Sequence, residues 1–285
     1  MGSTEQKPPH GWASLSQEAR DAAYNNRAAI ADAEKLVAAR RAESDAIHAR
    51  SQGFMDMPYG QGERERWEIF PGRDPSAPCL VFIHGGYWQG GEPKEFAACL
   101  RGALENGWSA ALCGYPLAPQ ASITQIVECV SSALSWLDGQ RVRQGTAGPL
   151  VLAGWSAGAH LAAMNAGHRI VSAVLCISGI FDLAPIRDTY LNAKLNLSDE
   201  EIQRLSPISA PAVHKPFIIA CGGEELPELQ RQSEDFFRMR QKHGMRDRFI
   251  KVEGANHLTI LEQLLTADST FIKSAEAAVT VGFDI

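Results

Sequence analysis

The five residues Gly154-Trp155-Ser156-Ala157-Gly158 join an apolar run, Pro149-Leu150-Val151-Leu152-Ala153, to a helix-forming one, Ala159-His160-Leu161-Ala162-Ala163-Met164. A serine flanked by glycines at a strand-to-helix turn is held out as a nucleophile. The turn is too tight for bulky neighbours, and the next helix points its N-terminus at developing negative charge. Ser156 is therefore the candidate nucleophile for acyl transfer. A second motif, His84-Gly85-Gly86-Tyr87-Trp88, directly follows the apolar run Cys79–Ile83. Acyl transfer needs preorganised N–H donors around an oxyanion, and paired glycines let the backbone approach a substrate carbonyl. Gly85, Gly86 and Ala157, with the Tyr87 N–H as a further donor, form the expected oxyanion hole. His84 is expected to brace this loop rather than to act as base. Trp88 and Trp155 are the expected pocket residues. With Tyr87 they form an aromatic wall suited to a flat acyl or leaving group, or they pack the elbow and loop.

The base of such a site should come last in the chain, and the acid should follow the preceding strand. His257, in Gly254-Ala255-Asn256-His257, lies just beyond the strand-like Arg248–Val252 and is the candidate base. His160 is expected to pack on its own helix. After Phe217–Cys221 come Gly222-Gly223-Glu224-Glu225, where two adjacent carboxylates compete for the imidazole; Asp182 is a third candidate. No HExxH, CxxC or comparable spacing suggests a metal, and no P-loop lysine or GxGxxG suggests a nucleotide. The six cysteines fall largely inside apolar runs, as reduced, buried thiols do. A cofactor-independent enzyme is expected.

Positioning these residues requires a particular scaffold. Continuous apolar runs such as Cys79–Ile83 mark strands buried on both faces. Strand-like runs at 67–70, 79–83, 109–113, 150–153, 173–178, 217–221 and 248–252 alternate with helix-like ones at 93–106, 122–138, 157–166, 228–243 and 258–279, the last broken near 267–269. This alternation predicts a mostly parallel sheet with helices on both faces. Segment 179–215 interrupts it and reads as a cap-like insertion with a short helix, Ser198–Leu205. Residues 1–14 read as a disordered tail. Residues 15–53 read as a helical arm, in one piece or two, whose apolar positions are mostly alanine and which must dock on the body or on a second subunit. Residues 54–285 then form the main domain.

Composition bounds the partners. The chain has 285 residues, 45% apolar and 21% charged, with a net charge of 27 − 33 = −6. That is ordinary for a globular protein and argues against nucleic acid as a partner. No run reaches the roughly 20 apolar residues of a membrane span, and the start lacks a secretory signal. A cytoplasmic protein acting on a small molecule, with no membrane partner and with a homodimer as an option, is expected.

The quoted motifs resemble those of the α/β-hydrolases, and within them the kynurenine formamidase-like (arylformamidase-like) esterase branch. The carrying residues are His84–Trp88, Tyr115-Pro116-Leu117-Ala118-Pro119, Gly154–Leu161, Glu225–Ser233 and Gly254–Leu258, with Tyr24-Asn25-Asn26-Arg27 near the start. The similarity spans residues 20–275. It implies the α/β-hydrolase fold with an N-terminal helical arm. Relative to Arg231-Gln232-Ser233, it implies Glu225 as the acid, where relatives usually carry aspartate. The expectation is a serine hydrolase cleaving a small carboxylic ester or (aryl)formamide through Ser156, His257 and Glu225 and an acyl-enzyme. The resemblance also puts the arm and the 179–215 insertion near the pocket mouth. A ligand-binding protein or a lyase on the same scaffold are the alternatives.

Overall fold

The computed structural model describes residues 11–280. A 3₁₀ turn, Trp12–Ser14, is followed by α1 (Gln17–Ala22), α2 (Asn26–Ala29) and α3 (Ala33–Arg50). Then come β1 (Phe54–Pro58), β2 (Arg66–Phe70), β3 (Cys79–Ile83), a 3₁₀ helix over Pro93–Leu100, α4 (Arg101–Glu105), β4 (Ser109–Cys113) and α5 (Ile123–Gln140). The second half runs β5 (Leu150–Trp155), α6 (Ala157–Met164), β6 (Val171–Ile177), α7 (Ala184–Arg187), α8 (Asn192–Leu195) and α9 (Asp199–Leu205). It closes with β7 (Phe217–Gly222), α10 (Pro227–Lys242), β8 (Arg248–Val252), a 3₁₀ turn over Thr259–Leu264 and α11 (Thr270–Thr280).

The strands form one eight-stranded sheet in the order β1-β2-β4-β3-β5-β6-β7-β8. The β1–β2 and β2–β4 pairs are antiparallel; all others are parallel. Alternation along β3 splits the core in two. Cys79, Val81 and Ile83 face the layer containing α5, α6 and α10, while Leu80 and Phe82 face the layer of the 93–100 helix, α4 and α11. The continuous apolar run is thus a strand covered on both sides. This is the α/β-hydrolase fold.

Several elements differ from the sequence expectation. β1 was not expected. It is a mostly exposed edge strand with a bulge between Phe54 and Met57, paired to β2 and packed on the core through Met57 alone of its apolar residues. Residues 93–100 are 3₁₀ rather than α-helical. Ser44 of α3 intrudes on that backbone: its hydroxyl donates to the Glu95 carbonyl and accepts from the Ala98 N–H, both at 3.0 Å. The arm comprises two short helices and the 18-residue α3 after a 3₁₀ turn, with Asn25 capping α2 through the Ala28 N–H. The assignment of 1–14 to a disordered tail is corrected at its inner end. Trp12 is buried, meets Tyr24 edge-on and donates its indole N–H to Asp188 at 2.9 Å. Residues 1–10 lie outside the described residues. Within 179–215, the expected helix is α9, started by the reciprocal Ser198–Glu201 capping box.

Candidate active site

The turn from β5 to α6 forces Ser156 to φ 58° and ψ −120°, a strained backbone for a residue with a side chain. The surroundings impose it. A Cβ on Gly154 would collide with the Gly158 carbonyl, and one on Gly158 would collide with the Ile83 carbonyl. The Ser156 N–H is tied to the Ile177 carbonyl at 2.8 Å. The glycine spacing is therefore a packing requirement of the turn that presents the hydroxyl. Ala157 opens α6, so its N–H has no intrahelical acceptor.

Three other loops at the carboxyl ends of the strands converge on this turn. After β8, Asn256 folds its loop by accepting from the Leu258 and Thr259 N–H groups at 2.9 and 3.0 Å. This presents the His257 ring, whose Nδ1 lies 3.1 Å from Glu225 Oε2. After β7, Glu225 is buried while Glu224 is exposed, so only one of the adjacent carboxylates faces the imidazole. Glu225 Oε1 accepts from the Gly222 N–H at 2.6 Å and from the Ser178 hydroxyl. Every face of this buried carboxylate is thus hydrogen-bonded, as a buried charge requires. Asp182 lies elsewhere: it caps the turn into α7 through the Ala184 N–H, and burial raises its pKa.

The loop after β3 carries successive left-handed residues at Gly86, Tyr87 and Trp88, with φ of 112°, 51° and 56°. This winding separates the two aromatics. Tyr87 turns to the arm, where its hydroxyl donates to the Tyr24 carbonyl at 2.6 Å and accepts from Asn26 Nδ2 at 2.9 Å. Trp88 turns inward, fully buried with its ring edge on His160, and lies outside the cleft where it was expected. His84 braces the loop. Its Nδ1 lies 2.7 Å from the Gly85 carbonyl, its ring stacks on Tyr115, and the Tyr115 hydroxyl donates to its carbonyl. Burial lowers the His84 pKa to about 4, and that of His160, bonded to the Leu205 carbonyl, to about 4 as well. Both rings are neutral at neutral pH.

Ser156, His257, Gly85, Gly86, Tyr87 and Trp155 share one cavity of about 360 Å³. Trp155 grips the histidine twice: its indole N–H donates to the His257 carbonyl at 3.0 Å, and the two rings lie 4.9 Å apart. The rest of the wall comes in part from the arm, through Asn26, Arg27, Val37, Arg40 and Arg41, and in part from residues 89–96 and Leu258. No residue of 179–215 lines it among the described residues, so the expected narrowing comes from the arm alone. Ser178 and Arg40 were missed in the sequence. Ser178 had only its place after a strand to mark it, and Arg40 had no signal. Among the described residues no cluster of His, Cys, Asp or Glu is placed to hold a metal ion, and no helix is long and apolar enough to cross a membrane.

Known proteins carry the same frame. Residues 70–175 match the BD-FAE family model. The kynurenine formamidase of Danio rerio is 30% identical over 247 residues, which cover 80% of this chain and 83% of that protein. A protein of Silicibacter sp. TM1040 superposes with a TM-score of 0.81 at 26% identity, covering 92% of this chain and 98% of that one. An esterase from Pyrobaculum calidifontis shares the fold, with a TM-score of 0.69 at 18% identity over 87% of this chain and 92% of its own. The chain is an esterase- or formamidase-type hydrolase of the α/β-hydrolase fold, and it belongs to the kynurenine formamidase family.

Proposed function

We propose that the chain is a cofactor-independent serine hydrolase that cleaves a small aryl formamide or carboxylic ester through Ser156, His257 and Glu225. The observation that carries this reading is the buried pair of His257 Nδ1 and Glu225 Oε2 at 3.1 Å, in a loop that opens on the same cavity as the strained Ser156. With Nδ1 engaged by Glu225, Nε2 is the atom left to take the Ser156 proton. The serine oxygen then bonds to the substrate carbonyl carbon, and the carbonyl pair moves onto oxygen. N–H groups of Gly85, Gly86, Tyr87 and Ala157 receive that oxyanion. Its collapse expels the amine or alcohol, which takes the proton from His257 and leaves an acyl-serine. Water repeats the cycle and releases the acid. Glu225 holds the imidazole tautomer and offsets the charge that forms on it. The relatives named kynurenine formamidase support a formamide as the scissile group. The arm at 15–53 and the domain at 54–285 act as one catalytic unit in this reading, since the arm walls the cavity.

The decisive experiment is Ser156→Ala, assayed on N-formylkynurenine and p-nitrophenyl acetate. Turnover should fall by about 10⁴-fold or more with folding intact, and a fluorophosphonate should label the parent chain and not the variant. A variant that keeps most of its activity overturns the mechanism.

A further inference from the structure

Arg40 differs from the other ionisable side chains on the cavity wall. Arg27 pairs with Glu34, Arg41 with Glu95, and His257 with Glu225. Among the described residues Arg40 has neither an ion-pair partner nor a hydrogen bond, and its Nε is buried without an acceptor. Its guanidinium carbon stands 4.8 Å from the centre of the Phe96 ring and 5.7 Å from that of Trp155. A cation–π contact with an aromatic wall satisfies none of its five N–H donors. The desolvation lowers its pKa, and an arginine stays charged regardless.

Arg240 is a useful contrast, because it is buried and it too lies against an aromatic ring, with its guanidinium 3.7 Å from the Phe217 ring centre. Its donors are taken by Asp247 and by the Val213 and Lys215 carbonyls. That is a structural arginine, complete within the protein. Arg40 also lies against aromatic rings, at longer range, but it faces a cavity and lacks the acceptors. Glu95, the nearby acid, is already held by Arg41.

We propose that Arg40 is a specificity-determining residue that pairs with a carboxylate of the substrate, so the preferred acyl compound is an anion. The proposal rests on the serine hydrolase reading above. Arg40 lines the cavity, and a guanidinium with no protein acceptor offers a planar N–H fork that matches a carboxylate bidentately. Arg40 and Ser156 line one cavity of about 360 Å³, so a single small molecule can reach both. The carboxylate can sit on either side of the scissile bond, and the test separates the two.

The test compares kcat/KM within two matched pairs. 3-Carboxyphenyl acetate against 3-carbamoylphenyl acetate puts the charge on the leaving group. 4-Nitrophenyl hydrogen adipate against 4-nitrophenyl hexanoate puts it on the acyl group. The intact protein should prefer the anionic member of one pair by about tenfold or more, with the preference shrinking in high salt. In Arg40→Gln that ratio should fall about tenfold, chiefly through KM, and Arg40→Lys should retain only part of it. A neutral preference in both pairs, or an unchanged ratio in Arg40→Gln, overturns the proposal. If the glutamine variant does not fold, an unchanged ratio in Arg40→Lys does the same. Fluorophosphonate labelling of Ser156 keeps the two readings apart. Labelling with an unchanged ratio removes only Arg40's role, whereas no labelling and no ester hydrolysis removes the hydrolase reading itself.

Discussion

Two walls of the same cavity are built on opposite principles. At the carboxyl edge of the sheet, the acid and the loop of the base have their partners inside the protein. Glu225 is saturated by Gly222, Ser178 and His257, and the His257 loop is fixed by Asn256 and Trp155. On the arm side, Arg40 Nε and the Asn26 side-chain Oδ1 are left without partners. The first wall is finished before anything binds, as a preorganised catalytic group should be. The second is completed by what enters. Chemistry and selection are thus divided between a rigid edge and a docked arm.

The largest effect expected from this division is at the acid. Glu225→Gln should lower kcat by about 10³- to 10⁴-fold by presenting the wrong partner to the imidazole, whereas Glu224→Gln, at an exposed position, should stay within about twofold. Steady-state kinetics on one ester decide it; the reverse ranking would move the acid by one residue. Next comes acid stability. Unfolded, the His84 and His160 rings take a proton near 6.5; folded, burial delays it to about 4. Between those values the unfolded chain binds more protons, so stability is full above about pH 6.5 and falls toward pH 4, by about 3 kcal/mol for each ring. Urea midpoints measured against pH should show this slope, and His160→Met should flatten part of it. A flat profile in the parent chain would contradict the neutral, buried state of both rings.

Tyr87→Phe probes the junction between the walls. It leaves the Tyr24 carbonyl and Asn26 Nδ2 without their partner, and should cost about 1–3 kcal/mol of stability. Thermal unfolding reads this directly, and an unshifted midpoint would mean the arm does not hold the loop. The smallest effect is on acyl length. A cavity walled by the arm should favour acetate over octanoate p-nitrophenyl esters by about tenfold in kcat/KM. A preference for octanoate would mean the arm does not limit the acyl site.

What could be read in advance follows the same division. The elbow, the His84-Gly85-Gly86 loop and the buried strands carry local signals, because a tight turn demands glycine and a strand covered on both faces demands an unbroken apolar run. The residues that failed to show are set by distant partners. β1 is a five-residue edge strand, mostly exposed, whose Phe54-Met55-Asp56-Met57-Pro58 shows no alternation and lies among glycines and prolines. The 93–100 segment looks α-helical until Ser44, some fifty residues earlier, enters its backbone. Trp88 sits beside Tyr87 in the chain and was expected beside it in the pocket, but consecutive left-handed residues send the two rings apart. Adjacent glutamates could not be ranked by spacing; burial and Ser178 rank them. Arg40 is one arginine in a basic, alanine-rich helix, and only the docking of that helix on Phe96 and Trp155 distinguishes it.

The arm's anchors also bear on how the chain matures during synthesis. Trp12 and Tyr24 are made early, yet Trp12 waits 176 residues for Asp188, and Tyr24 waits more than 200 for Glu228 and Gln232. Loop closure over such distances follows local structure formation. The start of the arm leaves the ribosome ahead of the hydrolase body and gains these anchors late. The start of the arm therefore locks down only when most of the hydrolase body has been translated, well after α3, whose Ser44 finds its partners at Glu95 and Ala98, can dock.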